Sequence, residues 1–378
     1  MIYFDNASTT RVSEKSASAA LSAMTEHFGN PSSLHSLGIH AEEIIENSAE
    51  IIAEILGVSA EEIIFTSSGT EANNLCLRGA LYARKRNFDS FIYDAAEHES
   101  VTKTAELLSL EGFKVSGVSP LESGEADLEK IIDLVSEKTA LVSLMMINNE
   151  TGSITDIERA IKLIKAKNKN TLVHIDLVSA FLKTKINLKK LGVDLATISG
   201  HKIHAPKGIG AAYIKKGVRV LPLIYGSKQQ KGLRAGTEAV PLIAAMGAAA
   251  EEGAENFAKY CENVKKINQF LREELSEIPE IMVNSPENAS PFVLNISTSV
   301  IGSEIMLHFL ESKGIYLSSG SACSKGAKSH VLSGMGLSND RIETALRISL
   351  SGENTITEAE DFIEALKEGL NTLQRRRK

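Results

Sequence analysis

The feature that most constrains this chain is an alternation sustained over about 150 residues. Between residues 60 and 215, short β-rich runs alternate with amphipathic helical stretches. The strand candidates are EIIFTS (62–67), SFIYDA (90–95), LVSLMMIN (141–148), TLVHID (171–176), DLATISG (194–200) and GAAYIKK (210–216). Helix-like segments such as DLEKIIDLVSE (127–137) and DIERAIKLIKAKN (156–168) lie between them. Strands that are apolar on both faces and alternate with helices predict an α/β fold, a mostly parallel sheet covered by helices on both sides. In such sheets ligands bind outside the carboxyl ends of the strands. The polar residues that follow these strands are therefore the site candidates.

A single long helical stretch is predicted from Glu238 to Ile278, linking the large domain to a smaller one. That second part reads as strand SPFVLNISTS (290–299), helix GSEIMLHFLESKG (302–314), strand ETALRISLSG (343–352) and helix ITEAEDFIEALKEGLNTLQ (356–374). The expected partition is a large domain over 13–253 and a small α+β domain over 254–378, joined by the N-terminal segment 1–12. A length of 378 residues suits two such units.

Composition narrows the function classes. A net charge of −7 gives no reason to expect nucleic acid as a partner, and the terminal RRRK run reads as a solvated end. The N-terminal residues lack the basic and apolar regions of a secretory signal. The longest mild apolar run, AVPLIAAMGAAA (239–250), is shorter than the ~20 residues that a membrane span needs. A cytoplasmic protein without a membrane partner is expected. The three cysteines, Cys76, Cys261 and Cys323, are too far apart for a zinc pair or a disulfide framework. Cys76 and Cys261 read as packing residues within helical patterns.

Each strand end offers a chemistry and a plainer alternative. In FTSSGTEANN, Gly69 and Thr70 fall at a helix N-terminus, where free N–H groups favour an anion, although Ser68 or Thr70 could simply cap the helix. His98 follows a strand, where a lone histidine is often structural. Asp176 ends a buried strand and needs a cation or hydrogen-bond donors; a lysine or a protonated pyridine nitrogen would serve. In SGHKIHAPKGIG, His201 and His204 lack a third ligand and flank Lys202, so no metal is expected. The Lys202 amine could instead form a Schiff base with an aldehyde cofactor. Arg347, inside the apolar strand ALRISL, calls for a carboxylate. Cys323 sits in the small, polar stretch LSSGSACSKGAKSH (317–330), either incidental or a working thiol.

Together these motifs resemble the cysteine desulfurases of the NifS/IscS-like branch, within the class V aminotransferases, which are fold type I pyridoxal-phosphate enzymes. The resemblance runs through YFDNASTT, FGNPSSLH, FTSSGTEANN, EH, NNETG, HID, SGHKIHAPKGIG, RAGTEAV, SSGSAC and ALRISL, in the family's order. It implies pyridoxal 5'-phosphate as cofactor, with Lys202 as its covalent anchor and proton carrier. Asp176 would pair with the ring nitrogen, and His98 would stack on the ring and assist proton transfer. Gly69, Thr70, Ser199 and His201 would bind the phosphate, with Thr237 reaching the site from the second subunit of a homodimer. Asn149 would contact cofactor and substrate, and Arg347 would hold the carboxylate of L-cysteine. Cys323 would take the sulfur as a persulfide, release L-alanine and pass the sulfur to an acceptor protein serving iron–sulfur clusters, tRNA thiolation or another sulfur pathway.

This chain departs from the family's pattern in three places. Ser179 stands where the family usually has a glutamine that bonds the cofactor's phenolic oxygen; that bond is then lost, made through water, or supplied by Ser199 or His204. His204 and Ala205 replace a common tyrosine and glycine, and SLSGENT lacks an arginine often found after its glycine. The alternatives are a class V aminotransferase or selenocysteine lyase on the same fold, or an inactive scaffold that binds sulfur acceptors.

Overall fold

The computed structural model describes residues 1–320 and 328–375. The expected thiol, Cys323, lies outside the described residues, as does the end of the RRRK run.

The elements run in the order β1 (Ile2–Tyr3), α1 (Glu14–Thr25), α2 (Ser36–Leu56), β2 (Ile63–Thr66), α3 (Gly69–Arg84), β3 (Ser90–Asp94) and α4 (Glu99–Leu110). They continue with β4 (Lys114–Val118), α5 (Leu128–Leu134), β5 (Thr139–Met145), α6 (Ile157–Lys167), β6 (Leu172–Asp176), α7 (Leu188–Leu191), β7 (Leu195–Ser199) and β8 (Gly210–Ile214). The remainder is α8 (Val240–Glu255), α9 (Phe257–Ser276), β9 (Met282–Val283), β10 (Val293–Ser297), α10 (Ser303–Ser312), β11 (Ile315–Tyr316), α11 (His330–Gly334), α12 (Asn339–Glu343), β12 (Ala345–Ser349) and α13 (Ile356–Thr372).

The main sheet has seven strands in the order β2-β8-β7-β6-β5-β3-β4, and β8 alone runs antiparallel to its neighbours. Every residue of β5, β7 and β8 is buried, as expected for strands covered on both faces. The covering helices show the matching pattern. In α6 the buried residues are Ile157, Ala160, Ile161 and Ile164, one stripe at helical spacing. Each fully buried aliphatic side chain there contributes about 2 kcal/mol of transfer free energy. Asp127 and Asp156 cap α5 and α6 by accepting from Lys130 and Arg159 amides.

A second core surrounds the antiparallel sheet β12-β10-β9, packed by α9, α10 and α13. Ile2 and Phe4 belong to this core, and β1 pairs with β11. The chain therefore starts in the second unit, bridges to β12 at Asp5 and Ser349, and carries Ala7 and Ser8 towards the carboxyl ends of the main sheet. The division at 253/254, with 1–12 as the joining segment, is the partition that we propose on these separate cores.

Two expectations are corrected. The stretch Glu238–Ile278 is two helices, because the chain breaks at Asn256 (φ −94°, ψ 1°), whose side chain donates to the Glu252 carbonyl at 2.9 Å. Such a local side-chain bond competes with helix continuation. Strand β4 has no counterpart in the sequence reading. It is an edge strand with only Val118 buried, so it lacks an apolar signature.

Candidate active site

A cavity of about 200 Å³ opens at the carboxyl ends of β5, β6 and β7. One end is the N-terminus of α3. Ser68 caps that helix, its Oγ accepting from the Glu71 amide at 3.1 Å, so the capping alternative is realised. The same turn faces the cavity with Gly69 and Thr70. Close packing makes this turn possible: a Cβ at Gly210 would lie 2.5 Å from the Ser68 carbonyl carbon and 2.8 Å from the Gly69 nitrogen. Ser199 Oγ is buried beside Gly69 without a hydrogen-bond partner among the described residues. His201 lines the same end; burial first, and then Lys202, lower its pKa to about 4. Its uncharged ring approaches Thr9 Oγ1 at 3.3 Å.

Asp176 forms the floor. It is 1% exposed; its Oδ2 accepts from Asn73 Nδ2 at 2.9 Å and its Oδ1 from the Val178 amide at 2.9 Å. Burial pushes its carboxyl above the usual range, against those two bonds and the nearby His98 and Lys202. A cationic N–H group placed against it would reverse that shift. His98 caps α4: its Nδ1 accepts from the Ser100 amide at 3.1 Å. Burial lowers the His98 pKa, against the pull of Asp176, so its ring is a neutral base at pH 7.

Lys202 rises from the short turn after β7. Its Nζ donates to the Ala7 carbonyl and, at 2.7 Å, to the Ser8 carbonyl. The N-terminal segment thus places the amine at the cavity wall. Arg347, 1% exposed in β12, donates from Nη2 to Asp5 Oδ1 at 3.0 Å and to Ser8 Oγ at 2.6 Å. Its Nη1 donates to the Asn149 carbonyl at 3.2 Å, and its Nε is buried without a partner among the described residues. The carboxylate that the buried arginine called for is supplied here by Asp5, and the guanidinium still lines the cavity.

Gly69, Thr70, His98, Asn149, Asp176, Ser179, Ser199, His201, Lys202 and Arg347 all line this one cavity. Thr237 does not; it is exposed on the same protomer. His204 is also absent from the wall. It adopts φ +68°, and its Nδ1 lies 2.9 Å from the Arg11 carbonyl. His204 is thus turned away from the cavity, while Ser179 and Ser199 both line it. Cys76 is buried in the core, with its thiol pushed up to about 12 by desolvation, and Cys261 is partly buried, as packing residues should be. The sequence reading gave no roles to Asn73, Ser100, Met145, Val178, Ala7 and Ser8, which also line the site. Asn73 stands inside FTSSGTEANN and could have been singled out; Ala7 and Ser8 act partly through main-chain carbonyls, which leave no residue-type signal.

The aminotransferase class-V family matches residues 2–362. The chain is 37% identical over 369 residues to "Cysteine desulfurase IscS 1" of Archaeoglobus fulgidus, covering 97% of this chain and 96% of that one. It is 39% identical over 372 residues to "Cysteine desulfurase 2" of Trichormus variabilis, covering 97% and 92%. A solved NifS-like protein superposes with a TM-score of 0.94 at 37% identity, covering 98% of this chain and all of that one. With a family match over nearly its whole length and relatives of this similarity, the chain belongs to the class-V aminotransferases.

Proposed function

We propose that this protein is a pyridoxal-phosphate-dependent cysteine desulfurase that converts L-cysteine to L-alanine and carries the removed sulfur on Cys323. The observation that supports this most is that Lys202, Asp176, the α3 N-terminus and Arg347 face one cavity. Relatives named cysteine desulfurase, similar over nearly the full length, support the same reading.

The residues present fit the cofactor. The unpartnered Ser199 Oγ and the first-turn amides of α3 suit a phosphate, with Gly69 and Thr70 in that turn. His201, uncharged, would add a donor, and Thr237 would complete the phosphate site from a second subunit. Asp176, enclosed and held by Asn73, suits a protonated ring nitrogen. When bound, the cofactor supplies an electron sink for the bonds at the substrate Cα.

The chain's own groups divide the remaining work. Lys202 would hold the cofactor through its amine and would carry a proton to and from the substrate Cα. His98, cavity-facing and held towards its neutral form by burial, would lie against the cofactor ring and would accept a proton from the substrate. Asn149 contacts cofactor and substrate, and Arg347 draws the substrate carboxylate against its guanidinium. Ser179 is short and Ser199 serves the phosphate, so the bond that a longer amide would make would be lost or made through water. The Cys323 thiolate attacks the substrate sulfur; an S–S bond forms as the C–S bond breaks, and the electron pair left on Cβ takes a proton to give alanine. The persulfide then passes its outer sulfur to an acceptor protein.

Release of alanine and sulfide from L-cysteine with a reducing thiol tests the reading. Equal catalytic amounts support it. Cys323→Ser is expected to abolish sulfide release while retaining the bound-cofactor absorbance. A Cys323→Ser variant that keeps full activity on another amino acid would replace the desulfurase reading with a different activity on this fold.

A further inference from the structure

Beneath the cavity floor lies a polar chain that the reaction above does not use. Glu97 is 0% exposed, and its Oε1 lies 2.8 Å from Ser143 Oγ. Ser143 Oγ lies 2.9 Å from His174 Nδ1, and His174 Nε2 lies 3.1 Å from Thr197 Oγ1. All four residues are fully enclosed. His174 stands two residues before Asp176 on β6, and Thr197 is paired with Asp176 across β6 and β7. Residues at that spacing and register share a sheet face, so the chain runs directly under Asp176.

The surroundings of Glu97 are wrong for a charge. Among the described residues its buried Oε2 has no hydrogen-bond partner, and no ion pair includes it. The titratable groups around it are Tyr93 and Asp94 from β3, Asp176 and His174 from β6, and His98 next in its own loop. His330 of α11 donates from Nε2–H to the Glu97 main-chain carbonyl at 3.1 Å. An ionised carboxylate with one hydrogen bond and two acidic neighbours would be left uncompensated.

We propose that Glu97 is kept as the uncharged acid and is a positioning residue. By donating its proton to Ser143 it orients a relay through His174 to Thr197, and it keeps a second negative charge away from Asp176. In that polarity Ser143 donates to His174 Nδ1, and His174 Nε2–H donates to Thr197. His174 must then be neutral, in agreement with burial lowering its pKa to about 3. Burial, followed by the charges of Asp94 and Asp176, raises the Glu97 carboxyl well above its ordinary range. The inference concerns the floor of the site and holds whichever amino acid the cavity accepts.

Infrared spectroscopy of the cofactor-loaded protein at neutral pH tests the charge state. Glutamate isotopically labelled at the carboxyl is expected to shift a protonated-acid C=O band, and Glu97→Gln is expected to remove it. A labelled protein with no such band overturns the proposal, even if the Glu97→Gln variant does not fold. Denaturant titrations at roughly pH 5 to 8 add a second reading. Only the wild type carries the extra native-state proton, so its folding constant relative to Glu97→Gln should fall about tenfold per pH unit between the ordinary glutamate pKa and the raised native one. Asp94, raised by burial to about 7, sees a neutral group in both proteins if Glu97 is uncharged, and its titration then cancels. A flat ratio means that Glu97 is ionised in the native protein. The positioning role is read from Ser143→Ala, which cuts the relay and is expected to move the pH midpoint of the bound-cofactor absorbance. An unmoved midpoint would leave Glu97 a packing residue only.

Discussion

Asp176 depends on a neighbour that does no chemistry of its own. Asn73 spends its side-chain N–H groups on Asp176 Oδ2 and Ser100 Oγ, at 2.9 and 2.8 Å, and so fixes the carboxylate and the start of α4 together. A hydrogen bond to a charged group contributes about 1.5–3 kcal/mol. Asn73→Ala should therefore lower kcat/KM of the cofactor-loaded protein by roughly ten- to a hundredfold. Steady-state kinetics, with absorbance confirming full cofactor loading, check this; an unchanged kcat/KM would mean that Val178 alone orients Asp176. At this scale most site residues were legible before the structure. Lys202, Asp176, His98 and Arg347 are polar groups at the ends of, or inside, apolar runs, where burial demands a partner. The bonds that Lys202 makes to Ala7 and Ser8 were not legible, because almost 200 residues separate them and the acceptors are carbonyls common to every residue.

At the scale of elements, the phosphate end of the site is a packing problem between α3 and β8. Gly210 begins β8, and any side chain there would enter the backbone of the Ser68–Gly69 turn. Backbone cannot swing aside as a side chain can, so the α3 N-terminus must shift. Gly210→Ala should cost about 1–3 kcal/mol of stability and weaken cofactor binding. Thermal unfolding and titration of the cofactor-free protein with pyridoxal phosphate measure the two effects, and a variant matching wild type in both would show that the turn has slack. The α8–α9 break illustrates what element-level reading misses. The apolar pattern runs straight through Asn256, and the side-chain bond to Glu252 marks the stop.

For the whole molecule, several exposed apolar residues are close in sequence to the lining of one groove. Phe28 is 66% exposed, Leu34 98% and Tyr225 78%. A groove joins Pro31 and Ser32 with Ser227–Lys231 and Glu238, the neighbours of Thr237. Large exposed apolar side chains beside a groove mark an interaction surface. A homodimer through this face would bring each Thr237 to the other subunit's phosphate site. Sedimentation should give twice the 40.8 kDa chain mass. Leu34→Asp should yield monomers that bind cofactor at least about tenfold more weakly. A monomeric wild type with full cofactor affinity would refute the shared site.

The sequence by itself determined the α/β architecture, the order of the motifs and which polar groups are candidates for the site. These follow from local facts: apolar runs that must be buried, and polar groups that cannot be buried alone. Only the tertiary structure decided which groups meet. It brought the N-terminal carbonyls to Lys202, turned His204 away to Arg11, gave Arg347 the Asp5 carboxylate, and laid Glu97, Ser143, His174 and Thr197 in one enclosed line under Asp176. Those meetings depend on strand order and register across four strands and several loops. No window of sequence contains them, because the distances that decide hydrogen bonding are set only once the sheet has closed.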